Sequence, residues 1–129
     1  MSGGGKYEYG KNKQSGLGFT IDFERKVLLF DKVAQDCAKA INGTKSTQAR
    51  NFYDYVLKLL DRVDNGEKFD NILPFVKMLN SKVHYAKARG HVSDEFIDMI
   101  KQCVNKVDNE ETLRTFKLFF EAVIGFSKR

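Results

Sequence analysis

Apolar residues in this chain recur at intervals of three and four through five successive stretches, and no long run alternates apolar with polar. That spacing puts them on one face of a helix, so the chain has to bury helical faces against one another. The first stretch runs from about Asp22 to Ala40, with Val27, Phe30, Val33, Ala34, Cys37 and Ile41 on its apolar face, and stops at Asn42-Gly43. The second starts near Ser46 or Thr47, either of which is expected to cap it, carries Ala49, Phe52, Val56, Leu59, Leu60 and Val63, and ends at Asp64-Asn65-Gly66. The third is expected from about Asn71 to Arg89, with Pro74 in its first turn, a buried face of Ile72, Phe75, Val76, Leu79, Val83 and Ala86, and Gly90 as its stop.

Ser93 caps the fourth stretch, with Asp94 and Glu95 at the positive end of the helix dipole, ahead of Phe96, Ile97, Ile100, Cys103, Val104 and Val107. The fifth begins at Asp108 or Asn109. Its Leu113, Phe116, Phe119, Phe120, Val123, Ile124 and Phe126 are apolar on more than one side, which makes it a central helix or one with a face for a partner. The expected fold is all-α, a compact bundle of about five helices. A glycine-rich N-terminal arm over residues 1–20 is expected to be flexible, with the helical domain over residues 21–129. One proline, no tryptophan and 129 residues suit a single helical domain with a core of its own.

Catalytic and metal chemistry find little footing. The two histidines, His84 and His91, lie on either side of a helix stop at Gly90, with no cysteine or clustered carboxylate to complete a metal site. Cys37 and Cys103 sit in apolar stretches and read as buried free thiols. No nucleophile motif or Gly-rich phosphate loop occurs, so no enzyme, cofactor or metal is expected. There is no apolar h-region at the N-terminus and no apolar run of about 20 residues, and the expected location is the cytoplasm.

Charge distribution is more informative than the net charge of +5. Between Asp36 and Asp54 there is no acid, but Lys39, Lys45 and Arg50 are present. Between Asp70 and Asp94 there is again none, while Lys77, Lys82, Lys87 and Arg89 are. Such segregation suits a phosphate-binding face, because each cation near a phosphate releases condensed counterions. Lys82 and Arg89 share one helical stripe with Tyr85 between them. Tyr85 either stacks on an exposed base or packs against a neighbouring helix, and the sequence leaves both open.

The run Thr47-Gln48-Ala49-Arg50-Asn51-Phe52-Tyr53, the run from Leu79 to Arg89 and the end from Phe116 to Ile124 resemble, in order, three segments of the small subunit of the type III-A CRISPR (Csm) interference complex. The resemblance implies a non-catalytic, RNA-binding helical subunit in antiviral defence. It would contact guide RNA and target RNA through their phosphates, beside the backbone and large subunits that carry the cleavage chemistry. Carried over by position, Lys45, Gln48 and Arg50 from the first segment and Lys82, Tyr85, Lys87 and Arg89 from the second become candidate RNA contacts. Ala88 stands where many relatives have glycine. Two other readings stay open: a helical protein–protein adaptor with a basic face and no direct RNA role, motivated by the phenylalanine-rich last helix and prone to self-association, and a DNA-binding helix-turn-helix.

Overall fold

Helix α1 is where the expected spacing and the observed packing part company. The computed structural model describes residues 16–127. In it α1 opens at Lys26–Leu28, passes through a π-helical stretch at Leu29–Val33 and continues as Ala34–Ala40. The wider π turn changes the buried set to Leu29, Ala34, Cys37, Ala38 and Ile41. Leu29 and Ala34, five apart, are both fully buried, whereas Val27, expected in the core, is 88% exposed. Phe30 and Val33 are only partly buried.

Helix α2 spans Ser46–Asp64, α3 comprises Phe69–Lys77 and Leu79–Ala88, α4 spans Asp94–Lys106 and α5 spans Glu110–Phe126. No strand occurs among the described residues, and the five expected helices are all present. Their ends follow local chemistry. Gly66 (φ 103°) and Gly90 (φ 76°) adopt the left-handed conformation that stops α2 and α3. Ser93 caps α4 by accepting from the Phe96 N–H (3.2 Å), and Asn109 and Thr112 form a reciprocal capping box on α5. At α2 the expectation fails. Lys45 is the cap residue and its carbonyl already accepts from Gln48 and Ala49, so Ser46 and Thr47 lie within the first turn and no side chain caps the helix.

Helix α3 starts two residues earlier than expected, which moves Pro74 beyond the first turn into the helix. It is interrupted at Met78, whose carbonyl is shared between the Lys82 N–H and the Ser81 hydroxyl (both 3.1 Å). Phe75, expected in the core, is 40% exposed, and the Arg62 guanidinium lies over its ring, 5.2 Å away.

Helix α5 is central. It packs on α1 and α2 and touches α4, and Leu113, Phe116, Phe119, Phe120 and Val123 are fully buried. Its last phenylalanine, Phe126, is half exposed. Phe120 meets Tyr53 of α2 edge-on at 5.7 Å, Phe96 of α4 at 6.1 Å and Phe116 at 6.0 Å, and Phe96 in turn meets Phe52 of α2 at 5.6 Å. Ahead of α1, the chain runs along α4. The Leu17 N–H donates to Asp98 (3.0 Å), the Ile21 N–H to Gln102 (2.7 Å), and the Gln102 amide donates back to the Phe19 carbonyl (3.0 Å). Ile21 and Phe23 are buried there. Residues 1–15 of the expected arm lie outside the described residues.

The π turn makes a direct prediction. Leu29→Ala should cost about 2–5 kcal/mol in urea unfolding, and Val27→Asp should stay within about 0.5 kcal/mol of wild type. The opposite order would put Val27 in the core.

Candidate nucleic-acid interface

Three contacts hold the start of α2 against the turn between α3 and α4. The Thr44 hydroxyl accepts from the Ser93 N–H (2.9 Å) and lies 3.1 Å from the Ser93 hydroxyl, while the Lys45 N–H donates to the His91 carbonyl (3.1 Å). Thr44 is buried, so its hydroxyl would carry a desolvation cost without these partners. The clasp brings Gln48, Asn51, Phe52 and Tyr55 of α2 opposite Met78, Ser81, Lys82, Tyr85, Ala86 and Arg89 of α3, with His91 at the end. Between them lies a groove of about 790 Å³, and no Asp or Glu is among its lining residues.

The cations of the groove rest on rings. The Lys82 ammonium sits over the Tyr55 ring of α2 at 5.2 Å, and the Arg89 guanidinium over the Tyr85 ring at 5.7 Å. Arg89 also donates to the Tyr85 hydroxyl (3.2 Å). Burial pushes the Tyr55 phenol above its ordinary value, against the opposing charge of Arg62, so it stays a donor to the Phe75 carbonyl at 2.9 Å. Tyr85 is 65% exposed, with its ring held by Arg89 and not packed into the core.

Of the seven candidate contacts, the groove collects Gln48, Lys82, Tyr85 and Arg89. Lys45 is exposed at the cap of α2, beside the His91 carbonyl. Arg50 lies on another side of α2. It lines a separate depression of about 540 Å³ with Ser46, Thr47 and Ile124, pairs with Asp54 (3.5 Å) and stands 5.9 Å from the Tyr53 ring centre. Lys87 points away from the groove lining to Asp94 (3.2 Å). The acids that bound the two acid-free runs therefore neutralise Arg50 and Lys87, while Lys82 and Arg89 keep aromatic partners instead. Ala88 is an exposed helical residue, and the left-handed position falls at Gly90, so the alanine meets no backbone strain.

Sequence reasoning did not bring Asn51, Tyr55, Met78 or Ser81 to this groove. The first two were within reach, since Gln48, Asn51 and Tyr55 share a stripe at helical spacing. Among the described residues, no three His, Cys, Asp or Glu side chains converge as a metal site would require. Cys37 and Cys103 are buried and free. Burial pushes the Cys37 thiol up to about 12 and raises Cys103 as well, so both are protonated at neutral pH. No described helix is long and apolar enough to cross a membrane.

The clasp is testable apart from any ligand. Thr44→Val keeps the shape and removes the hydroxyl. It should cost about 1–3 kcal/mol and shift the amide resonances of Ser93 and His91 together. An unchanged stability would separate the groove from this contact.

Against known proteins, the family model described as Csm2 Type III-A matches residues 24–129, a span that takes in every described helix. No curated protein and no solved structure matches the chain.

Proposed function

The chain belongs to the Csm2 Type III-A family, the small subunit of the type III-A CRISPR Csm complex with the other Csm subunits as its partners, and from that premise we propose that it is a non-catalytic RNA-binding subunit whose basic groove faces guide RNA and target RNA in antiviral defence. It works in the cytoplasm on this reading. The observation that carries the proposal is the groove between α2 and α3, where two cations, two tyrosines and two amides meet without a carboxylate in the lining. Cations on aromatic rings at the surface are held in place without being neutralised, so they remain available to phosphate oxygens. Lys45 at the rim and Arg50 on the adjoining side of α2 extend the contact, and Lys87 joins it if phosphate displaces Asp94 from an exposed ion pair worth at most about 1 kcal/mol.

A second reading, an adaptor with no direct RNA role, draws on exposed Val27 and Leu28 at the start of α1 and Leu118 and Phe126 on α5. The buried Phe116, Phe119 and Phe120 no longer support it.

Titration of a single-stranded RNA with wild type and with Lys82→Ala/Arg89→Ala, at two salt concentrations, decides between them. Wild-type affinity should fall as salt rises. The double variant should bind more weakly, with a salt slope shallower by about 1.4 for two lost phosphate contacts on a single strand. RNA binding by the double variant at wild-type strength and slope would remove the groove from the interface. Absence of wild-type binding at low salt would favour the adaptor.

A further inference from the structure

A groove that only tracked phosphates would need cations and no floor. This one has both. Its charged groups, Lys82 and Arg89, come from α3, and its floor and walls are Phe52, Tyr55, Met78 and Tyr85, with the Gln48 and Asn51 amides on the α2 side. A volume of about 790 Å³ lies within the roughly 300–1,000 Å³ that holds small organic ligands. We propose that the groove seats one unpaired nucleobase of a single-stranded RNA stretch, with Tyr85 as the stacking surface. The proposal rests on the RNA-binding reading above and names the part of the RNA that enters the site.

Three features converge on a base. The Tyr85 ring is 65% exposed, yet Arg89 bonds its hydroxyl and stands by the ring, so the ring is oriented before a ligand arrives. Arg89 stands over that ring at 5.7 Å and bonds its hydroxyl, within reach of the phosphate attached to a stacked nucleotide. The Gln48 and Asn51 amides each offer donors and an acceptor, which suits the polar edge of any base and selects weakly among them. Charge complementarity excludes an acid-free apolar groove for a basic partner and favours an anionic one with a flat apolar part, which is a nucleotide.

The test compares two probes of equal length and charge, an oligouridylate and the corresponding abasic ribose-phosphate oligomer, on the full chain. Wild type should bind the base-bearing oligomer about tenfold more tightly than the abasic one. Tyr85→Leu should erase that preference while keeping the salt slope, because no cation is removed. Tyr85→Phe should retain the preference. Equal wild-type affinity for both probes, or a preference that survives Tyr85→Leu, overturns the base site while the RNA reading stands, and leaves the groove to another occupant such as a partner's peptide. Failure of both probes to bind at low salt overturns the RNA reading and this inference with it.

Discussion

Phe120 sits where three helices meet, and the geometry of the molecule follows from what it touches. Tyr53, Phe96 and Phe116 surround its ring, and Phe96 passes the contact on to Phe52. Each such aromatic pair contributes about 0.5–1.5 kcal/mol beyond the burial of its area and restricts the angle at which helices approach. Because Phe52 is also part of the groove lining, the surface proposed to meet RNA is the outer side of this aromatic core. The groove's shape is therefore fixed by packing. One end of the groove is bounded by the Thr44 and Ser93 hydroxyls, which join the start of α2 to the cap of α4 across a sequence separation of 49 residues.

That separation explains what could be read from the residues alone. Helices α2 and α4 show an unbroken 3.6-residue stripe, and every position expected in the core of α2 is buried. Ser93 and Asn109 announce their helices because the capping side chain is adjacent to the N–H it serves. Helix α1 was harder. A π turn needs no special residue type, so the shift that exposes Val27 and buries Leu29 leaves no local mark. The half-exposed Phe75 is covered in part by Arg62, a residue of the preceding helix that spacing within α3 cannot reveal.

The same distinction holds for the site. Lys82, Tyr85 and Arg89 are on one stripe of one helix, and sequence spacing was enough to group them. Gln48 and Arg50, two residues apart on α2, diverge for the same reason: two steps carry a side chain to a different face of a helix. Which of them would meet α3 was settled by the clasp. The ion pairs Arg50–Asp54 and Lys87–Asp94 also show that an acid-free run is not an uncompensated one, because acids just beyond its ends fold back onto it. What remains cationic without a carboxylate partner in the groove is Lys82 and Arg89, the pair held on tyrosines.

The central claim is that this groove is the centre of the face proposed to meet RNA in the assembled complex. Ultraviolet cross-linking of thiouridine-substituted RNA in that complex, followed by mass spectrometry of this subunit, tests it most directly. The account predicts cross-links on the peptides that carry Gln48 to Tyr55 and Met78 to His91, centred on Tyr85. Cross-links confined to α5 or to the exposed start of α1, with the groove peptides unmodified, would contradict it.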